Sequence, residues 1–178
     1  MVPPQIAELL TASVAKYIER SRRKYVQKAI PLASEKQASL ASFFAAEILS
    51  AARTAAARPR LLNPAFYAKV RSTGIKRLPD FANVAAITFV DVIVHQAPLT
   101  DDLLFHELVH FVQYQHLGLR EFARLYVKGF LEAGSYEAIP LERQAYDLDA
   151  RYSAAPRVPF SVDNEVKQAV ESGFFANG

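Results

Sequence analysis

The spacing of apolar and polar positions predicts a chain built mainly of helices. Over residues 4–30, apolar side chains recur at helical spacing until Pro31 ends the run (Ile6, Leu9, Leu10, Val14, Tyr17 and Ile18). A second helix is predicted over residues 34–57, where an apolar stripe lies within an excess of alanine, the best helix former. Arg58-Pro59 ends it, because the residue before a proline avoids helical backbone. The two would form an N-terminal helical pair over residues 1–60.

Residues 85–94 are the segment with the composition of a strand. They are β-branched and aromatic, apolar on both faces, and bounded by Asn83 and Pro98. A helix should follow, because Thr100 is a good N-cap residue and Gly118 suits the position just after a helix end. Further helices are predicted over residues 119–132, 141–152 and 162–174.

These elements predict an α+β fold that is mostly α, with a short β element ahead of a central helix. A chain of 178 residues can bury a core, and we find no repeat or linker that would mark a second domain. We therefore expect a single domain over residues 1–178. No apolar run approaches the about 20 residues that cross a bilayer, and no signal-peptide pattern is seen. A soluble, cytoplasmic protein without a membrane partner is expected.

The sequence has no cysteine, which excludes disulfides and thiolate metal sites. A metal ion would need histidine and carboxylate ligands, and the histidines are His95, His106, His110 and His116. The net charge is only +3, with basic residues clustered over residues 16–28. That cluster could bind an acidic partner, but Glu19 and apolar residues interrupt it. A solvated helix face is the favoured interpretation, and a nucleic-acid partner is not expected.

Residues 106–110, with the sequence HELVH, carry the clearest chemical signal. On a helix, a spacing of four turns the chain by about 400° and advances it by about 6 Å, so His106 and His110 share one face and can hold one metal ion. Glu107 lies between them and can hold a water molecule against that ion. HExxH is the signature of the zincins, a group of zinc metallopeptidases, and the chain resembles them at this site. The resemblance implies one Zn²⁺ per chain with a third protein ligand.

His116 is one candidate for that third ligand. It completes HExxHxxQxxH, which is close to the metzincin pattern HExxHxxGxxH. Gln113 stands where those proteins have the glycine that turns the chain back, and the metzincin Met-turn is missing because Met1 is the only methionine. If the helix continues past His110, His116 points away from the metal.

Glu142 is the better candidate. Pro140 is well placed at the start of a helix, which puts Glu142 in the first turn. In gluzincins, a glutamate from a downstream helix is the third ligand, and residues 84–153 resemble a minimal gluzincin of the kind found in small bacterial HExxH proteins. The expected metal ligands are therefore His106, His110 and Glu142, with Glu137 in reserve.

The resemblance also implies a mechanism and a substrate class. Zinc acidifies a water, Glu107 accepts its proton and passes it to the leaving amine, and one further donor stabilises the oxyanion. Tyr146, Tyr136 and His95 are candidates for that donor, and we place Tyr146 with Glu107 as the catalytic residues. The substrate would be a peptide or protein that pairs with the edge of the strand at residues 85–94.

Two other functions stay open at the level of sequence. A zincin-like fold could be retained for binding, with zinc present and no turnover. A basic helical module could instead bind nucleic acid through residues 16–28, although only Tyr17 and Tyr25 add aromatic rings to that face.

The chain also departs from many gluzincins, which place an aspartate four residues after the ligand glutamate to support a zinc-bound histidine. Tyr146 occupies that position here, and the nearest acids are Asp147 and Asp149.

Overall fold

A computed structural model defines the fold over residues 3–57, 61, 63–72, 74, 78–133 and 135–177. The helices are α1 (Pro4–Val26), α2 (Ser34–Leu40), α3 (Ala46–Ala51), α4 (Tyr67–Ser72), α5 (Asp101–Ala133), α6 (Pro140–Ala154), α7 (Val162–Glu171) and α8 (Phe174–Asn177). The strands are β1 (Ile30–Pro31), β2 (Arg53–Ala56), β3 (Ala86–Phe89) and β4 (Val92–His95). The fold is thus α+β and mostly α, which confirms the predicted class.

The strands form one small sheet in the order β1-β2-β4-β3. β2 and β4 are parallel and place Thr54 beside Ile93, whereas β1 with β2 and β3 with β4 are antiparallel. β3 is therefore an edge strand, and α5 packs against it. This contact brings Thr88 of β3 to Glu107 of α5.

The helix predicted over residues 34–57 is wrong. That segment forms α2, α3 and then β2, which pairs along its whole length with β4. Alanine favours helix over other ordinary residues by less than about 1 kcal/mol per position, which is weaker than strand pairing combined with burial. Ala52 and Ala55 are buried here, at 0% and 4% exposure. The expected N-terminal helical pair is therefore replaced by α1, two short helices and two strands.

The segment predicted as one strand over residues 85–94 is a hairpin. β3 and β4 are joined by Val90 and Asp91, and Val90 has a φ of 65°, which is rare for a β-branched residue. Arg22 of α1 holds this turn by donating two hydrogen bonds, of 2.5 and 2.7 Å, to the Asp91 carboxylate. A Val-Asp pair lacks the Asn-Gly or Asp-Gly signature of such turns, so the turn was not predicted.

α5 begins and breaks where the sequence predicts. The Thr100 hydroxyl accepts a hydrogen bond from the Leu103 amide at 3.3 Å, which caps the helix. Gly118 has φ 71° and ψ 162°, so α5 consists of two helical halves, residues 101–117 and 119–133. The apolar residues around HELVH are all buried: Phe105, Leu108, Val109, Phe111 and Val112.

The remaining helices follow the prediction closely. α6 starts at Pro140, and α7 is capped by the Ser161 hydroxyl, which accepts from the Asn164 amide. Gly173, with φ 72°, separates α7 from α8. Within the described ranges, no helix combines the length and apolar character needed to cross a membrane.

Candidate metal centre

His106, His110 and Glu142 converge at one buried point. The two His Nε2 atoms lie 3.2 Å apart, and the Glu142 Oε2 atom lies 3.5 Å from His106 Nε2 and 3.3 Å from His110 Nε2. All three residues are at most 7% exposed. This is the group that could hold a metal ion among the described residues, and it is the set expected from the sequence.

The donor set fits a metal ion on two counts. Ligands placed about 2.0–2.2 Å from a tetrahedral zinc are separated from one another by about 3.3–3.6 Å, close to the distances between these three atoms. Glu142 Oε2 is also buried without a hydrogen-bond partner. A buried carboxylate oxygen left in this state is costly, and a cation between it and the imidazoles would satisfy it.

Without a metal, the charges of these side chains strongly shift one another's pKa values. Burial would lower the pKa of His110, but the Glu142 carboxylate outweighs it and raises that pKa to about 9. Burial likewise works against ionisation of Glu142, yet the two imidazoles lower its pKa to about 2. The metal-free centre therefore holds an ion pair between His110 and Glu142 at neutral pH.

Close packing of two helices positions Glu142. Gly129, in the second half of α5, faces the start of α6, and a Cβ atom built on it would lie 2.7 Å from Pro140 Cδ and 3.2 Å from Ile139 Cγ2. Only glycine allows this approach. Pro140 is the first residue of α6, so its contact with Gly129 sets where the first turn, and with it Glu142, meets α5.

Glu107 lies beside the three ligands and is held by β3. The Thr88 hydroxyl is 2.7 Å from Glu107 Oε2 and 3.0 Å from the Glu107 carbonyl oxygen. Burial raises the pKa of Glu107, while His110, His106 and the Thr88 hydrogen bond partly oppose that shift. A carboxylate with a raised pKa is a stronger base than an exposed one.

Two spaces meet at the centre. The outer cleft is lined by Val84, Ala85, Ala86, Leu103, His106, Glu107, Tyr136, Tyr146 and Asp149. The inner cavity is mostly aromatic and is covered by Val14, Tyr17 and Ile18 of α1. Glu107 and Tyr136 line both, so they stand between the two spaces. α1 therefore covers the inner side of the centre and contributes nothing to the lining of the outer cleft.

The three candidate oxyanion donors lie in different places. Tyr146 packs against the His106 ring, with centroids 4.6 Å apart, and is 43% exposed in the outer cleft. Tyr136 lines both spaces; burial raises its pKa, as do the charge of Glu142 and a hydrogen bond to it. His95 ends β4, where its Nδ1 lies 2.9 Å from the Ala97 carbonyl oxygen, and it lines neither space.

The two other ligand candidates lie apart from the centre. His116 Nε2 is 2.8 Å from Asp163 Oδ1, so this side chain links α5 to the first turn of α7. Glu137 is exposed in the turn before α6. Neither belongs to the metal-binding group, as the direction of the helix predicts for His116.

Sequence reasoning missed the residues that support the centre. Gln113 was considered only as a poor substitute for a turn glycine, yet it is fully buried and lies 2.8 Å from His110 Nδ1. Gln144 and Thr88 were not considered, and both hydrogen-bond with residues of the site. The sequence does contain a signal for Gln113: it follows His110 by three positions, which places both residues on one helix face.

Comparison with protein-family models, with curated proteins and with solved structures finds no match to this chain.

Proposed function

We propose that the protein is a zinc-dependent peptidase of the zincin type, with His106, His110 and Glu142 as metal ligands. The observation that carries the proposal is the unpartnered Glu142 Oε2 atom, which lies at tetrahedral ligand distances from two His Nε2 atoms beside a buried glutamate. Two imidazoles and one carboxylate, with no thiolate available, are a donor set typical of catalytic zinc.

A bound zinc ion would supply Lewis acidity, polarising a carbonyl group and lowering the pKa of water. The remaining chemistry falls to side chains. Glu107 would accept a proton from the attacking water and donate it to the nitrogen of the leaving amine. The balance is hydrolytic: the peptide C–N bond breaks, a C–O bond forms, and one water is consumed. Thr88 would keep the Glu107 carboxylate directed at the site through its 2.7 Å hydrogen bond.

The outer cleft supports a peptide as the substrate. Its wall includes Ala86, the first residue of the edge strand β3, and the segment that leads into it. An edge strand offers backbone groups to an extended chain, which would then lie across His106 and Glu107. Tyr136 and Tyr146 both line this cleft and are the available phenol donors for the oxyanion.

Tyr136→Phe and Tyr146→Phe separate these two donors. A transition-state donor lowers kcat by about 10²–10³-fold when removed, while KM changes little. Tyr136 has a hydrogen bond to Glu142 among the causes of its raised pKa and Tyr146 does not, which favours a larger loss in Tyr136→Phe. The reverse order would support the assignment of Tyr146 made from the sequence.

A peptide-library digest read by mass spectrometry tests the proposal. The zinc-loaded protein should cleave peptides with the addition of one water, and Glu107→Gln should retain zinc while losing activity. Asp147→Asn, an exposed change on α6, serves as the control and should cleave normally. A zinc-loaded parent that cleaves no peptide would contradict the peptidase function and support a binding role.

A further inference from the structure

We propose that Gln113 is the positioning residue of the metal centre, fixing both the tautomer of His110 and the place of Glu142. This inference rests on the metal site of the proposed function and does not depend on peptide cleavage. Gln113 is 0% exposed and lies three residues after His110 on α5. Its amide contacts α5 and α6 at once.

The hydrogen bonds of Gln113 allow one orientation of its amide group. Its Nε2 lies 3.0 Å from the Leu141 carbonyl oxygen and 3.0 Å from Gln144 Oε1, so each N–H has an acceptor. The carbonyl oxygen Oε1 therefore faces His110, 2.8 Å from Nδ1. Turning the amide over would direct N–H groups at His110 and place the amide oxygen against two other acceptor oxygens.

This orientation decides the tautomer of His110. An amide oxygen can only accept, so the proton of a neutral His110 must be on Nδ1. The lone pair is then on Nε2, the atom that faces His106 and Glu142. When His110 gives up one proton to bind a metal, the proton that remains is therefore on Nδ1, and Nε2 is the ligand atom.

Gln113 also holds α6, the helix that carries Glu142. Leu141, whose carbonyl oxygen accepts from Gln113, immediately precedes Glu142. One side chain is therefore bonded both to a ligand and to the backbone beside another ligand. Gln144 continues the chain of bonds by donating to the Glu165 carbonyl oxygen of α7 at 3.2 Å, so α5, α6 and α7 are tied together behind the metal centre.

An amide suits this position better than a carboxylate. Glu107 and Glu142 are already buried next to the two imidazoles, and a third negative charge would add repulsion in a medium of low dielectric constant. An aspartate or glutamate could accept from His110, but neither could donate to the Leu141 carbonyl oxygen. Gln113 does both without adding charge.

The test is the zinc dissociation constant, measured by chelator competition, for the parent, Gln113→Met, Gln144→Met and Gln115→Met. Methionine has the length of glutamine without its hydrogen bonds, and Gln115 is an exposed residue of the same helix. Loss of a residue that orients a metal ligand weakens binding by about 10–100-fold, which is the result expected for Gln113→Met. Gln144→Met should weaken binding less, and Gln115→Met should match the parent.

A second readout separates positioning from general destabilisation. In the zinc-loaded parent, the His110 Nδ1 proton should give a slowly exchanging imidazole NMR signal. Gln113→Glu keeps an acceptor for that proton and should retain the signal, whereas Gln113→Met should lose it.

Equal zinc affinity in Gln113→Met and the parent, or a parent signal from Nε2–H, would overturn the proposal. A parent that binds zinc but cleaves no peptide would contradict the peptidase alone, and a parent that binds no zinc would overturn both.

Discussion

At the scale of single residues, the buried polar atoms of the centre differ in whether they have hydrogen-bond partners. Glu142 Oε2 has no hydrogen-bond donor, whereas Gln113, which is fully buried, has a partner for each polar atom of its side chain. Buried acceptors without partners are rare in proteins, so this atom marks a position that a cation could occupy.

Metal binding should release a proton from His110. In the metal-free protein, the pKa of His110 is raised to about 9, so His110 keeps its proton at neutral pH, and zinc must displace it. Zinc affinity should therefore rise about tenfold per pH unit between neutral pH and pH 9. Calorimetry at pH 7.5 in buffers of different ionisation enthalpy should give about one proton released per zinc, and no release would contradict the assignment.

The same shift sets the pH dependence of the metal-free fold. A raised pKa means that the folded state binds the His110 proton more tightly than the unfolded state does. The resulting stability is fully present below the ordinary histidine pKa and is lost as pH rises through about 9. Urea unfolding of the metal-free protein should therefore show a lower free energy at pH 10 than at pH 6, and His110→Gln should reduce this difference.

At the scale of elements, two glycines let α5 and α6 build the centre. Gly118 adopts φ 71° and ψ 162°, a combination almost confined to glycine, and separates the half of α5 that carries the histidines from the half that receives α6. Gly129 then lets Pro140 approach. The first glycine acts through backbone conformation and the second through the absence of a side chain.

Gly118→Ala should destabilise the fold by roughly 1–3 kcal/mol, because alanine is strained in that region of φ and ψ. Space is not the cause, since a Cβ on Gly118 would meet nothing within 4 Å. Thermal unfolding measures the effect. Arg120→Ala, an exposed change two residues away, should leave the unfolding temperature almost unchanged, and a similar loss in both variants would contradict the backbone argument.

Gly129→Ala should weaken zinc binding. Alanine gains up to about 1 kcal/mol of helix propensity over glycine, but its Cβ would lie 2.7 Å from a proline ring that cannot rotate away. The start of α6 must move, carrying Glu142 with it. A chelator competition should show a weaker zinc complex even where stability changes little, and unchanged affinity would show that Gly129 does not set the ligand position.

The elements also show which parts of the centre could be predicted from the sequence. His106, Glu107 and His110 follow from helical spacing, and Glu142 follows from Pro140, because helix starts are local signals. β2 and the Val90-Asp91 turn could not be predicted, since pairing with β4 and the contact with Arg22 come from distant parts of the chain. The role of Gln113 depends on Leu141 and Gln144, which lie 28 and 31 residues further on.

At the scale of the whole molecule, α1 joins the sheet to the metal centre. Its residues Val14, Tyr17 and Ile18 cover the inner cavity, and Arg22 binds the β3–β4 turn. The Arg22–Asp91 pair is partly buried, with side-chain exposures of 38% and 20%. It therefore holds the helix that covers one side of the site.

A double-mutant cycle with Arg22→Ala and Asp91→Ala should give a coupling free energy of about 1 kcal/mol or less, because solvent screens a pair this exposed. The coupling should fall in high salt. The Glu19–Arg23 pair on the same helix is more exposed, at 53% and 65%, and should couple less. Equal coupling for the two pairs would mean that Arg22 does not anchor α1.

The most direct test of the metal centre is elemental analysis of zinc in the parent, Glu142→Ala and His116→Ala. We predict one zinc ion per chain in the parent, its loss in Glu142→Ala, and its retention in His116→Ala, whose imidazole pairs with Asp163 instead. A parent without zinc after zinc is supplied, or loss of zinc in His116→Ala with retention in Glu142→Ala, would contradict this account.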